Sequence, residues 1–299
     1  MKKAAYALLT LALVFAAGEL ILRAFGYRGD PRVVDFRFQI TGDLIGEPDP
    51  VRFWRLPNVA PHFQGAAPRI ICLADSVTVM EHGRGWPELL PDALRAAGYA
   101  KPAQVFNAGV PEYTSYQGLR YFETELLATR PNIVTVEFGW NDHWPSPVNR
   151  PDSAVQVPRP TVFALHQHLI RLRLYRLLRT AILPAPNPKV LRVPPDDYRQ
   201  NLRRIAELVR GQGGQMILLT APYLDNPFGW VALHRTYIDA TRQAAGELQA
   251  PLVDLADVFL HRRDLFLDPR NDQCHFNKSG AEIVAQAVAA VIVQKGWLP

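Results

Sequence analysis

From Arg69 onward the chain alternates short apolar runs with longer stretches in which apolar residues recur every three or four positions. The runs Arg69–Leu73, Gln104–Ala108, Ile133–Phe138, Gln215–Thr220 and Pro251–Asp254 are nearly continuous in apolar residues, as strands buried on both faces are. Helical periodicity lies between and after them: Trp86–Ala97 before Gly98, Tyr116–Thr129 with Ser115 as N-cap, Asp196–Gln212 before Gly213-Gly214, Leu233–Leu248, and Ala281–Lys295 with Ser279 as N-cap and Gly296 as its stop. This alternation predicts an α/β fold, a three-layer α/β/α sandwich around a five-stranded parallel sheet. Sites in such sheets form beyond the carboxyl ends of the strands.

The chain before Arg69 reads differently. Ala4–Gly18 is apolar apart from Thr10, and Leu20, Ile21 and Leu22 extend it past the single Glu19, with Lys2 and Lys3 in front. As a helix, residues 4–22 span about 28 Å, close to the ~30 Å of a bilayer's hydrocarbon core. The same features suit a signal peptide cleaved after Val14-Phe15-Ala16 or Ala16-Ala17-Gly18. Under either reading the lysines keep the N-terminus inside and the rest of the chain is exported. The expected location is therefore the cell membrane as a single-pass protein, or the periplasm or exterior if the segment is removed. No Cys follows the apolar run, so a lipoprotein anchor is not indicated. Residues 28–68 have no sustained period and are punctuated by Gly29, Pro31, Gly42, Gly46, Pro48, Pro50, Pro57 and Pro61; they are an irregular lead-in. The expected organisation is thus 1–27 anchor or signal, 28–68 lead-in, and 69–299 a single domain carrying a proline-rich insertion at 144–195.

Within that insertion Thr161–Leu183 predicts one helix, with Ile170, Leu174, Leu177 and Leu178 on one side and Arg173, Arg176 and Arg179 on the other. It is either a helix packed on the domain with a solvated basic face, or a lid or membrane-surface helix suited to anionic headgroups. Composition changes the picture little: 48% apolar and 20% charged residues among 299 exclude disordered, collagen-like and coiled-coil classes. The net charge of +5 comes from 33 basic residues, only six of them lysines, against 28 acidic ones. No basic run is interleaved with aromatics outside residues 161–183, so no nucleic-acid partner is expected. Two cysteines, Cys72 and Cys274, are too few for a disulfide framework, although they can pair if the strand ends converge.

The residues past each strand end carry the candidate chemistry. They are Ala74-Asp75-Ser76, Asn107-Ala108-Gly109, Gly139-Trp140-Asn141-Asp142, Ala221-Pro222-Tyr223 and, following the last strand, Asp272-Gln273-Cys274-His275. A serine hydroxyl becomes a nucleophile when a base takes its proton and a carboxylate fixes the base's tautomer. Ser76, His275 and Asp272 can fill these roles, because a tight turn across the three-residue spacing sets the carboxylate beside Nδ1 and leaves Nε2 for the serine. The N–H groups of Ser76 and Gly109 and the Asn141 amide are candidate oxyanion donors.

With these residues in place the chain resembles the SGNH (GDSL-type) hydrolase superfamily over Arg69 to about Trp297. The four blocks of that family are matched, in order, by Ala74-Asp75-Ser76-Val77-Thr78, Asn107-Ala108-Gly109-Val110-Pro111, Gly139-Trp140-Asn141-Asp142 and Asp272-Gln273-Cys274-His275. The resemblance implies a flavodoxin-like sheet, with Ser76 as nucleophile, His275 as base, Asp272 as its orienting acid, and Ser76, Gly109 and Asn141 as the oxyanion hole. It departs at Ala74, where the family usually has glycine and where a methyl is expected to crowd the turn.

Other readings compete at single residues. His82 is the rival base; His143 either lines the pocket or caps a loop; Asp75 and Asp142 are turn-fixing carboxylates. Tyr113, Trp140, Trp144 and Tyr223 are candidate pocket aromatics. His166-Gln167-His168 is weak as a ligand pair, and no metal or organic cofactor is expected. The expected activity is hydrolysis of a carboxylic ester of a glycan, lipid or small molecule through acyl-Ser76. The alternatives are an O-acyltransferase acting on an envelope polysaccharide with the same site, and a non-catalytic envelope binding protein. Membrane contact is expected through residues 4–22 and, in the lid or surface reading, 161–183.

Overall fold

A computed structural model describes residues 2–29, 46–57, 59–78, 85–156, 159–185, 187–224, 230–272 and 274–299. The chain divides into two compact units: Met1–Pro57 with Ser146–Arg150 and Ala154–Lys189, and Asn58–Pro145 with Pro151–Ser153 and Val190–Pro299.

The first unit contains helix α1 (Lys2–Ala24), a short antiparallel pair β1 (Glu47–Asp49) and β2 (Phe53–Arg55), and helices α4 (Pro160–Leu169) and α5 (Arg173–Ala181). No residue of α1 is buried, and it is long and apolar enough to cross a membrane. The β1–β2 pair lay outside the expected elements; its connection is tied by Asp49, whose carboxylate accepts the N–H groups of Val51 and Arg52 and pairs with the Arg52 guanidinium at 3.0 Å. The single helix expected over 161–183 is two helices. Leu172 is extended between them, and charged side chains satisfy the backbone groups the break exposes: Arg176 Nε donates to the Ile170 carbonyl at 2.6 Å, and Glu19 accepts the Leu174 N–H at 2.9 Å. Arg173 in turn donates to the last carbonyls of α1, at Leu22 and Arg23. Two helix ends thus satisfy each other's orphan groups.

The second unit is built on five parallel strands: β3 (Arg69–Ala74), β4 (Gln104–Asn107), β5 (Ile133–Glu137), β6 (Gln215–Leu219) and β7 (Leu252–Val253), in the order β4-β3-β5-β6-β7. These are the expected strands, with no end moved by more than one residue. Successive side chains alternate faces, so each strand feeds two cores. On one face Ile70, Cys72, Ile217, Leu219 and Val253 pack with α2 (Trp86–Ala96) and α9 (Lys278–Lys295) through Trp86, Leu90, Val284 and Val288. On the other lie α3 (Ser115–Tyr121), α6 (Pro195–Gly211) and α7 (Trp230–Leu248). A short helix, α8 (Leu255–Val258), follows β7. The order reverses at β3, which has β4 on one side and β5 on the other, and the crevice past these strand ends is where such sheets place ligands.

Two caps differ from expectation. Helix α3 is capped by Thr114, which forms a reciprocal box with Gln117, rather than by Ser115. Helix α9 is capped by Asn277, whose side chain accepts the Gly280 N–H, rather than by Ser279. In α3 the shift has a consequence: Ser115 Oγ is released to donate to Asp142.

Helix α3 sits tightly against the end of β5, because a Cβ on Gly118 would lie 2.2 Å from the Phe138 ring. Gly211, at the end of α6, has open space around the equivalent position. Gly118→Ala is therefore expected to destabilise the fold by about 1–3 kcal/mol through overpacking, whereas Gly211→Ala is neutral or stabilising by up to about 1 kcal/mol. Urea unfolding of both variants checks this; equal effects would refute the close approach.

Candidate active site

The end of β3 presents Ser76. Ala74 closes the strand, its carbonyl accepting the Val110 N–H at 3.1 Å, and Ser76–Thr78 form a single 3₁₀ turn. Ala74 is not among the residues with positive φ and is 1% exposed, so its methyl is accommodated within the core and the expected crowding does not arise. Asp75 holds the turn from inside: its Oδ1 accepts the Val77 N–H at 3.1 Å and its Oδ2 accepts Asn141 Nδ2 at 3.3 Å. Asp75 is fully buried, and the lost hydration pushes its pKa up to about 6 against the hydrogen bonds and the His275 charge that oppose it.

The last block arrives from the segment before α9. His275 Nε2 lies 2.8 Å from Ser76 Oγ, and its Nδ1 lies 2.8 Å from Asp272 Oδ2. Asp272 Oδ1 also accepts the N–H groups of Cys274 and His275, so the carboxylate is fixed by its own turn. Burial would raise the Asp272 pKa, but the bond and charge of His275 and these two amides outweigh it and hold the carboxyl at about 2. Burial likewise pulls His275 down, but the hydrogen bond and charge of Asp272, helped by Asp75, leave its pKa above the ordinary value. A hydroxyl, an imidazole and an ionised carboxylate thus form a continuous relay. It can move a proton off Ser76 and stabilise the imidazolium that results.

The three expected oxyanion donors stand differently. The Ser76 N–H has no acceptor among the described residues. Gly109 is buried against the serine turn, where a Cβ would lie 1.7 Å from Thr78 Oγ1 and 3.0 Å from the Asp75 carbonyl; only glycine fits. Its N–H donates to Asn107 Oδ1 at 2.9 Å. Asn141 Nδ2 reaches the turn but gives its hydrogens to Tyr113 O at 3.0 Å and Asp75 Oδ2 at 3.3 Å.

The competing residues separate clearly. His82 lies outside the described residues, as does Gln273 of the last block. His143 is buried, with Nδ1 3.0 Å from the Gly139 carbonyl, and packs in an aromatic group with Trp140, Trp144, His234 and Tyr237; it fixes a loop. Asp142 is a turn-fixing carboxylate: Oδ1 accepts the N–H and hydroxyl of Ser115 and Oδ2 the Gly139 N–H, with burial pushing its pKa up to about 7. Tyr113 is buried edge-on to Tyr121, Trp140 stacks on His234 at 4.1 Å and donates to the Pro222 carbonyl, and Trp144 is exposed. Tyr223 takes a hydrogen bond from Arg235. Cys72 and Cys274 are free thiols, so the disulfide is not formed.

Glu137 was missed. It ends β5 opposite Ala74, is 1% exposed, and neither carboxyl oxygen has a hydrogen-bond partner among the described residues. Burial first and the nearby Asp75 second raise its pKa well above the ordinary range; the neighbouring Trp86 indole only softens this. Its signal in the sequence is a lone acid inside an otherwise apolar strand.

A sequence profile described as the GDSL-like lipase/acylhydrolase family matches residues 72–283. No curated protein matches the chain. Among solved structures, the lipase/acylhydrolase from Enterococcus faecalis shares 20% identity at a TM-score of 0.55, covering 78% of this chain and 97% of its own. Axe2, an acetylxylan esterase from Geobacillus stearothermophilus, shares 19% at 0.52, covering 79% and 98%. At these identities the likeness is one of fold.

The buried acids make stability depend on pH. Asp75, Asp142 and Glu137 all have folded pKa values above those of an unfolded chain. Between about pH 4 and pH 7 these three acids hold more protons in the folded state than in the unfolded one, a contribution to stability that falls as pH rises and that the buried His234 and His143, shifted down, oppose. Glu137→Gln keeps a neutral group of similar shape and removes one linked proton. Its stability relative to wild type should rise as pH rises above the ordinary glutamate range of about 4.3. Urea unfolding at several pH values reads this, and a difference that does not change with pH would overturn the assignment of Glu137 as a buried neutral acid.

Proposed function

The chain belongs to the GDSL-like lipase/acylhydrolase family, and from that premise we propose that Ser76, His275 and Asp272 form the catalytic triad of an esterase that works through an acyl-Ser76 intermediate. Hydrolysis of ester bonds follows from the family. The mechanism rests on one observation, the 2.8 Å contacts that join Asp272 to His275 and His275 to Ser76.

In this reading His275 Nε2 takes the Ser76 proton as Oγ bonds to the ester carbonyl carbon, and Asp272 stabilises the imidazolium across Nδ1. The carbonyl oxygen becomes an oxyanion held by the Ser76 N–H, Gly109 N–H and Asn141 amide. Collapse breaks the bond to the alkoxy oxygen, which receives the proton from His275 and leaves as alcohol. Water, deprotonated by His275, then attacks the acyl carbon, and breakdown of that adduct releases the carboxylic acid and returns the proton to Ser76. Asp75 positions the serine turn and the Asn141 amide. The substrate class is an acyl or acetyl ester of a glycan, lipid or small molecule; the acetylxylan esterase among the structural neighbours supports a glycan acetyl ester as the first to screen.

A fluorophosphonate probe should label Ser76 alone, and Ser76→Ala should lower kcat by about 10⁴-fold or more. Intact ester hydrolysis in Ser76→Ala would reject the nucleophile. Because the base must be neutral, kcat/KM should rise with pH through a midpoint above the ordinary 6.5 of histidine. Asp272→Asn should lower both that midpoint and, by about 10⁴-fold, the rate. An unchanged midpoint would mean Asp272 does not govern the imidazole. Adding a glycan acceptor distinguishes water from an alcohol as acyl acceptor by the product formed.

The same reading places the protein at a membrane, with α1 retained as its anchor. The support is the docking of α5 on the end of α1 through Glu19, Arg173 and Leu174. Val162, Leu165, Leu172, Leu177, Leu178 and Ile182 on α4–α5 are exposed beside Arg171 and Arg179, which suits a bilayer interface with anionic headgroups. The full-length protein should sediment with membranes and keep its N-terminus by mass spectrometry. A mature chain starting after Ala16 or Gly18 would make the segment a leader instead.

A further inference from the structure

Cys274 stands between the acid and the base, and no step of ester hydrolysis uses it. Its Sγ lies 3.5 Å from Asp272 Oδ1 and 3.5 Å from His275 Nδ1, while Nδ1 and Asp272 Oδ2 are 2.8 Å apart. One donor atom from each residue falls within 4.8 Å of the others. A tetrahedral Zn²⁺ with Zn–S of about 2.3 Å and Zn–N or Zn–O of about 2.0–2.1 Å holds its donors about 3.3–3.6 Å apart. The sulfur–imidazole edge already has that length, and so does the distance from Sγ to Asp272 Oδ1; the imidazole sits closer to the other carboxylate oxygen, Oδ2, and ligation through that oxygen requires the edge to open by about 0.5 Å.

The three donors therefore outline one face of a coordination tetrahedron. The His275 and Asp272 side chains are 34% and 26% exposed, which gives a metal ion access to both ligands from solvent. The carboxylate is already oriented by the Cys274 and His275 amides, which gives the site part of its outer shell without rearrangement. Thiolate, imidazole and carboxylate together suit Zn²⁺ or Cd²⁺ over Mg²⁺ or Ca²⁺.

We propose that Asp272, Cys274 and His275 form an inhibitory binding site for a thiophilic divalent cation, one that switches the hydrolase off by taking its acid and base as ligands. Binding replaces the thiol proton with the metal and releases it to solvent. It also replaces the ring proton on Nδ1, so the neutral imidazole carries its proton on Nε2. There it faces Ser76 as a donor and cannot accept the hydroxyl proton. The metal thus imposes the tautomer that the Asp272 hydrogen bond normally prevents. The inhibitory consequence rests on the triad reading above; the binding itself does not.

Two measurements keep these apart. Cd²⁺ titrated into Ser76→Ala, which needs no activity, should give one equivalent of the ultraviolet Cd–thiolate charge-transfer band, and the band should vanish in Ser76→Ala/Cys274→Ala. The only other thiol, Cys72, is fully buried. With an ester substrate, Zn²⁺ should inhibit the wild type, and Cys274→Ala should keep its metal-free activity while its inhibition constant rises at least about tenfold. Cys274→Ser, closer in size, serves if the alanine variant does not fold. Absence of the Cd–thiolate band, or equal Zn²⁺ inhibition of wild type and Cys274 variants, overturns the site. A band without any esterase activity would leave the metal site standing and reject the triad reading instead.

Discussion

Everything at the site depends on the register between β3 and β5. Pairing Ala74 with Glu137 brings the two central strands to an end side by side, so the segments that follow, Asp75–Thr78 and Phe138–Asp142, must turn in the same small volume. Gly109, entering from the β4 side, fits only because it lacks a Cβ. The hydrogen bond from Asn141 to Asp75 then ties the two turns, and His275 reaches the same place from the segment before α9. Shifting β3 by one residue would exchange its two faces and turn Ser76 away from this crevice, and the same shift in β5 would do so for the turn that carries Asn141.

This placement costs stability. Three carboxyls, those of Asp75, Glu137 and Asp142, lie buried at or beyond the strand ends, two with hydrogen-bond partners and one with none among the described residues. A buried carboxyl is cheaper neutral than charged, which is why burial dominates all three shifts. Asp272 is the contrast. Only partly buried and surrounded by three donors, it stays ionised beside His275. The site thus keeps its one dependable negative charge where the imidazolium needs it, and keeps its deeper acids poised to be neutral.

Much of this was legible in the chain. Strands buried on both faces leave nearly continuous apolar runs, so the five strands could be found; the residues just after them named Ser76, Gly109 and Asn141, and the three-residue spacing before the last helix named Asp272 and His275. What escaped was decided by tertiary partners. Thr114 rather than Ser115 caps α3 because Ser115 is claimed by Asp142, a residue 27 positions away. The helix expected over 161–183 breaks at Leu172 because Glu19 and Arg176 satisfy the groups a break exposes, and local periodicity carries no trace of Glu19. Glu137 left a visible sign, an acid in an apolar run, but its meaning depends on Asp75 and Trp86 lying beside it.

Under the proposed mechanism, the donors around Ser76 bear on how such a site favours the transition state. Asn141 has both amide hydrogens engaged, and the longer bond, 3.3 Å to Asp75, is the weaker of the two. Gly109 likewise gives its N–H to Asn107. A ground-state ester carbonyl is a neutral acceptor and gains little by displacing these partners. An oxyanion forms charge-assisted bonds roughly twice as strong, so the exchange becomes favourable only as charge develops on the carbonyl oxygen. Holding the donors on neutral or long-range internal partners keeps them oriented, and it directs their binding energy to the step that needs it.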